Sequence, residues 1–168
     1  MGAPRIAVIM GSASDMEVAD EAARKLKEFG ISFEMKVMSA HRTPNAVAQY
    51  AASARARGME VLIAVAGQAA HLAGAIAANT TLPVLGVPVA SGSLGGLDAL
   101  LSTVQMPSGV PVGTLALGSS GARNAAILAA EILSLADRGL AEKLDAFRRK
   151  MGEDVEKDDE KVGKTHAG

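Results

Sequence analysis

Three short segments of this sequence gather side chains that could carry chemistry. The first, Gly11-Ser12-Ala13-Ser14-Asp15, offers a glycine for a tight turn, two hydroxyls and a carboxylate. Hydroxyls and the first amides of a helix can donate to a phosphate, while a carboxylate accepts hydrogen bonds from sugar hydroxyls, so Ser12, Ser14 and Asp15 together suit a phosphorylated sugar. A serine-rich turn that only caps a helix has the same composition. The second, Ser39-Ala40-His41-Arg42-Thr43-Pro44, adds a guanidinium able to make paired, charge-assisted bonds to phosphate. It also adds an imidazole, the side chain that by type exchanges protons near neutral pH. His41 and Arg42 could equally be the solvent-facing start of a helix. The third, Ala66-Gly67-Gln68-Ala69-Ala70-His71-Leu72-Ala73-Gly74, surrounds another imidazole with small residues. It reads either as a hydrogen-bonded core histidine or as the wall of a compact, dry pocket. His166, the remaining histidine, lies far from all three segments, near the C-terminal end.

Composition narrows the classes of function these segments can serve. Apolar residues make up 49% of the 168-residue chain and charged residues 21%, as in an ordinary globular protein of about one domain. Lys plus Arg number 17 against 18 Asp plus Glu, so no net field attracts nucleic acid or an anionic membrane. A small-molecule partner is expected instead. The chain has no cysteine, which excludes disulfides, a thiolate nucleophile and zinc–cysteine sites and permits a reducing, cytoplasmic setting. Met1 to Pro4 lead into an apolar strand pattern with no basic and apolar leader before it, and no uncharged apolar run is long enough to span a bilayer. Phe29, Phe33, Tyr50 and Phe147 are the only aromatics, which argues against a site that stacks a flavin. No Walker motif or dinucleotide fingerprint follows the first strand, no serine–histidine–acid set is apparent, and two separated histidines do not make a metal site.

The elements that must position these segments alternate in type. Arg5–Met10 has the length of a strand and ends at Gly11; Ala19, Ala22, Ala23 and Leu26 then recur at helical spacing until Phe29 and Gly30. Phe33, Met35 and Val37 alternate with polar residues, the mark of a strand partly in solvent. Thr43 is the expected cap, and Pro44 the first residue, of a helix reaching Gly58. Val61–Ala66 is wholly apolar, as a central parallel strand covered on both faces would be. A buried helix is expected over Ala69–Ala78, a fourth strand over Pro83–Val89, a short helix over Leu97–Val104 and a fifth strand over Val112–Leu117. Repeated βα units require right-handed crossovers and a parallel sheet with helices on both faces. The pattern predicts an α/β, flavodoxin-like three-layer αβα sandwich with strand order 2-1-3-4-5. In such a sheet ligands bind beyond the C-terminal strand ends, where all three segments fall.

A helix is expected over Ala122–Ala136, a break at Gly139, and a further C-terminal helix whose Leu140, Leu144, Phe147 and Met151 form an apolar stripe. That stripe would pack on another subunit or fold back on its own domain. Residues 1–155 are read as one domain, and the charged, small residues of 156–168 as a frayed tail.

Taken together, the three segments resemble the PurE family of de novo purine biosynthesis. Leu85–Val89, Gly96-Leu97-Asp98, Ser102-Thr103-Val104-Gln105-Met106-Pro107 and Gly109-Val110-Pro111-Val112-Gly113-Thr114 resemble the same family in the same order, and the likeness runs from about Arg5 to Leu133. The Ala-Ala-His-Leu segment is similar to that of the bacterial class whose enzyme is an N5-carboxyaminoimidazole ribonucleotide mutase, an isomerase that moves a carboxylate from the exocyclic nitrogen to ring carbon C4. The resemblance implies that reaction, a cytoplasmic homo-octamer with sites at subunit contacts, and no metal or organic cofactor. It also implies that Ser12, Asp15 and Arg42 bind substrate with Ser14 and Ser39 as further polar contacts. By the same likeness His41 transfers the proton, and Gly67, Ala69, Ala70 and His71 surround the migrating carboxylate.

Two positions depart from the family pattern: Gln68 stands where glycine is common, and Ala73 where proline is common. Gln68 could narrow the carboxylate pocket or donate into it, and Ala73 could loosen the start of the helix. Three other readings stand beside the mutase. They are direct carboxylation of aminoimidazole ribonucleotide by carbon dioxide, as in the animal-type relatives, a nucleotide- or flavin-binding module on the same fold, and a purely structural oligomer.

Overall fold

The structure, a computed structural model, describes residues 3–166, with side chains through residue 162. It divides into two compact units, one ending at Ala129 and the other beginning at Ala130. The first unit holds strands β1 (Ile6–Met10), β2 (Phe33–Val37), β3 (Val61–Gly67), β4 (Val84–Val89) and β5 (Gly113–Thr114). They form one all-parallel sheet in the order β2-β1-β3-β4-β5. Helices α1 (Met16–Phe29), α2 (Pro44–Ala54), α3 (Leu72–Ala77) and α4 (Leu97–Val104) follow successive strands. The predicted fold class and strand order are those observed.

The apolar runs explain the order of burial. All of β1 and the first six residues of β3 are buried, as central strands covered on both faces must be, while β2 leaves Lys36 and Val37 exposed at the sheet edge. On α1, Ala19, Ala22, Ala23, Leu26 and Phe29 face the core, and the helix stops at Gly30, whose φ of 74° lets its N–H reach the Leu26 and Lys27 carbonyls. Gly86, inside β4, lets α4 approach closely, since a methyl there would lie 2.4 Å from the Thr103 side chain.

Several boundaries differ from the sequence reading, each for a local reason. The fifth strand shrinks from Val112–Leu117 to two residues. Leu115 N–H reaches the Gly86 carbonyl, and the next rung would need an N–H at residue 88, which is proline. Helix α3 begins at Leu72 rather than Ala69, because the Ala70 and His71 amides turn back onto the carbonyls of Gln68 and Ala69. Helix α2 ends at Ala54, short of Gly58. Thr43 stands at the N-cap position with Pro44 first in the helix, as expected, but its side chain turns away: its Oγ1 accepts from Ser39 N–H at 3.0 Å and donates to the Ser39 carbonyl at 3.1 Å, closing the turn before the helix.

Helix α5 (Gly118–Ser134) crosses the boundary between the units, and α6 (Arg138–His166) belongs to the second. The break between them is set by Asp137 rather than Gly139: the Asp137 Oδ1 accepts from Leu140 N–H at 3.1 Å. Within the second unit Leu140 and Leu144 are buried, Met151 is exposed, and Arg148 reaches Glu131 at 3.0 Å. Helix α6 continues through residues 156–166, where a frayed tail was expected, with i,i+3 ion pairs Lys157–Asp154 and Lys161–Asp158 along it. Residues 167–168 of that expected tail, and the side chain of His166, lie outside the described residues. Among the described residues no helix is long and apolar enough to cross a membrane.

Candidate active site

A cavity of about 480 Å³ opens beyond the C-terminal ends of β1, β2, β3 and β4, where the sheet order changes direction. Each wall comes from one of the predicted segments. Ser12, Ser14 and Asp15 line it from the turn after β1, Ser39, His41 and Arg42 from the turn after β2, and Gly67, Ala69 and His71 from the loop after β3. Ala70 does not line it. Its side chain is buried behind the wall, and its N–H donates to Ser102 Oγ on α4 at 3.0 Å, fixing the loop from outside the cavity.

The turn after β1 is a 3₁₀ turn over Ala13–Asp15. Ser12 Oγ accepts from Ser14 N–H at 3.3 Å, so the capping role considered for this serine is real, yet the cap serves the turn and not α1. Asp15 is buried, and that burial pushes its carboxyl above the ordinary carboxylate range; the Ser12 backbone N–H and the Arg42 guanidinium pull the other way without overcoming it. Arg42 donates from Nη2 to the Gly11 carbonyl at 2.8 Å, which joins the turns after β1 and β2. Its own N–H is held by Ser39 Oγ at 3.2 Å. A guanidinium carries five donors, and this arrangement commits one nitrogen to the protein.

The two motif histidines meet. His41 Nε2 lies 2.8 Å from His71 Nδ1, with the rings nearly edge-on at 76° and their centroids 4.9 Å apart. At that distance one ring nitrogen donates and the other accepts, so a proton sits between two residues 30 positions apart in the chain. Around them Ala40, Ala66, Gly67 and Ala69 keep the wall small. The histidines therefore sit at the junction of the second and third segments, with Ser12, Asp15 and Arg42 across the same cavity. Among the described residues no group of three or more His, Asp or Glu side chains is placed to hold a metal ion.

A family model described as AIR carboxylase matches residues 5–154. The chain belongs to this family. It is the PurE family anticipated from the motifs, and the structural likeness agrees: Treponema denticola PurE superposes with a TM-score of 0.85 at 31% identity, covering 95% of this chain and 98% of that one. Among curated relatives, an N5-carboxyaminoimidazole ribonucleotide mutase of Vibrio parahaemolyticus is 56% identical over 90% of this chain and 94% of its own length. Proteins of the same name from Saccharolobus solfataricus and Bacillus subtilis are 55% and 54% identical, covering 90% of this chain and 95% and 94% of their own lengths.

Two further residues of this AIR carboxylase family member, Ser91 and Gln68, line the cavity, and the first of them was given no place in it from the sequence. Ser91, just past β4, packs its hydroxyl so closely on Gly67 that a methyl there would lie 2.2 Å from it. The signal was a serine two residues after a strand end, the same position that drew attention after β1 and β2. Gln68, the departure expected to narrow the carboxylate pocket or donate into it, has a φ of 52° and is the sole non-glycine residue with positive φ among the described residues. A glutamine held there costs ~1–3 kcal/mol that glycine would not. Ala73, the other departure, is buried in α3, which forms without proline.

Proposed function

We propose that this chain is an N5-carboxyaminoimidazole ribonucleotide mutase acting without metal or organic cofactor. The observation that carries the reading is the 2.8 Å contact between His41 and His71 in a wall of small residues, facing Ser12, Asp15 and Arg42. Arg42 and the Ser12–Ser14 turn suit the phosphate, and Asp15 the ribose hydroxyls. Relatives more than half identical carry the mutase name, which favours it over the carboxylase reading.

The chemistry requires one proton to be given and one taken. The bond from the exocyclic nitrogen to the carboxylate carbon breaks, and the nitrogen takes a proton from the His41 imidazolium, leaving aminoimidazole ribonucleotide and carbon dioxide. C4 then attacks the carbon dioxide, and neutral His41 removes the C4 proton, so the residue ends as it began. His71, bonded to His41, fixes the orientation of the ring through both steps. The small residues around Ala69 leave room for carbon dioxide and little for water. On this reading the protein is cytoplasmic and assembles as a homo-octamer whose subunit contacts complete each site, with neither nucleic acid nor membrane as a partner. Its catalytic domain lies within residues 1–155.

The test gives the purified protein N5-carboxyaminoimidazole ribonucleotide in one arm and aminoimidazole ribonucleotide with bicarbonate in the other. Conversion of the first to the 4-carboxy product at low protein concentration, with no comparable carboxylation in the second, is the expected result. Efficient carboxylation in the second arm would replace the mutase with a carboxylase.

A further inference from the structure

The end of β3 and the loop that follows it run beside the loop after β4 at two successive positions. Gly67, the last residue of β3, makes room for the Ser91 hydroxyl on the loop after β4. One residue later the Gln68 side chain runs beside Gly92: a methyl at Gly92 would meet Gln68 Cγ at 3.6 Å and its Nε2 at 3.8 Å, ordinary contact distances. Gly92, with a φ of 72°, is itself in a conformation that other residues avoid. Gln68 adopts its left-handed backbone at the same place, and its carbonyl accepts from Ala70 N–H at 2.8 Å, starting the turn that presents Ala69 and His71 to the cavity. Both Gln68 and Ser91 line that cavity. An unfavourable backbone persists where surrounding contacts over-determine it, and the contact with Gly92 is what a glycine at position 68 could not make.

We propose that Gln68 is a positioning residue, a latch that joins the loop after β3 to the loop after β4 across the cavity mouth and limits escape of carbon dioxide between the two halves of the reaction. The inference rests on the mutase reading. Carbon dioxide is small and neutral, with no charge by which a site could hold it, so between cleavage at nitrogen and attack by C4 only the fit of the walls retains it. Escape would leave aminoimidazole ribonucleotide as a released product: the carbamate and one proton give the amine and carbon dioxide.

The experiment supplies N5-carboxyaminoimidazole ribonucleotide labelled with carbon-13 in its carboxylate to protein in unlabelled bicarbonate buffer. It reads label retained in the 4-carboxy product and aminoimidazole ribonucleotide released, after subtracting decay without protein. Gln68→Gly removes the side chain at a backbone angle that glycine favours, so folding is not at risk. Gln68→Asn tolerates the left-handed backbone but is one methylene too short to cover Gly92. Wild-type protein is expected to retain most of the label, and both variants to lose it severalfold more per turnover. Retention at the wild-type level in either variant, with wild-type protein active, would overturn the latch alone. Absence of turnover by the wild-type protein would remove the mutase reading and the latch with it.

Discussion

Two clusters of ionisable side chains stand at opposite ends of the same sheet, and they use similar residues in opposite ways. Near the N-terminal end of β2, Glu34 Oε1 accepts from the Tyr50 hydroxyl at 2.6 Å and from Arg57, whose guanidinium lies 4.8 Å from the centre of the Tyr50 ring. Lys36 adds an ion pair to the other carboxylate oxygen at 3.6 Å. There the acid, the base and the phenol are spent on one another. At the cavity, Asp15 makes no side-chain ion pair among the described residues, Arg42 bonds a backbone carbonyl, and the histidines bond each other. Burial acts on both carboxylates. Glu34 feels it most of all, yet bonds from Tyr50 and Arg57 outweigh it and hold the carboxyl below its ordinary value, whereas Asp15 has too few partners and is pushed up. Self-satisfied polar clusters stabilise a fold, while under-satisfied ones keep capacity for a ligand.

The sharpest way to break this contrast is to remove the proton carrier. His41→Asn keeps a polar side chain of similar bulk and is expected to lower turnover by ~10²–10⁴-fold, the range of positioned acid–base catalysis. The melting temperature and substrate affinity should change little. Near-wild-type turnover in a folded variant would remove His41 from the chemistry.

Asp15→Asn tests the claim that the cavity trades stability for binding. A charge-assisted hydrogen bond is worth ~1.5–3 kcal/mol, so KM should rise roughly tenfold or more if Asp15 holds the substrate sugar. Stability should move the other way. Because the folded protein raises the Asp15 pKa, ionising it costs stability; that cost is absent below the ordinary value of 3.8 and develops as pH rises above it. The variant should therefore melt slightly higher than wild type at neutral pH, with the gain vanishing in acid. A lower melting temperature at neutral pH, or an unchanged KM, would contradict this account of Asp15.

How much of this was readable in the residues depended on whether a signal was local. The parallel sheet and its order followed from repeated strand–helix units, with the wholly apolar run Val61–Ala66 in the middle of the sheet and the alternating second strand partly in solvent, and the cavity from three polar turns that each follow a strand. The approach of His41 to His71 across 30 positions was not legible, because no periodicity encodes which way two loops lean. The place of Ser91 was only weakly marked, by a serine just past a strand end, and its packing against Gly67 at the end of β3 left no trace in the sequence. The fifth strand was overread because Val112–Leu117 has a strand's composition, while the missing rung belongs to Pro88 on its neighbour. The end of α6 was underread because its charged residues suggest solvent, yet at i,i+3 spacing they also pair along a helix.

The smallest effect comes from the satisfied cluster, and it sharpens the comparison because it should leave activity alone. Tyr50→Phe keeps the ring under Arg57 and deletes only the hydroxyl that bonds Glu34. The loss should be ~1.5–3 kcal/mol, the scale of one hydrogen bond to a charged acceptor, and lower the melting temperature by several degrees. Turnover and KM should match wild type, since no residue of this cluster lines the cavity. The pH dependence carries the opposite sign to that of Asp15. Glu34 has a lowered pKa, so its contribution is full above its ordinary value of 4.5 and is lost as pH falls below it. The gap in melting temperature between wild type and Tyr50→Phe should therefore narrow on acidification below that value. A gap that stayed constant in acid would mean that the hydroxyl stabilises the fold by packing rather than through the carboxylate, and the contrast between the two clusters would lose its electrostatic basis.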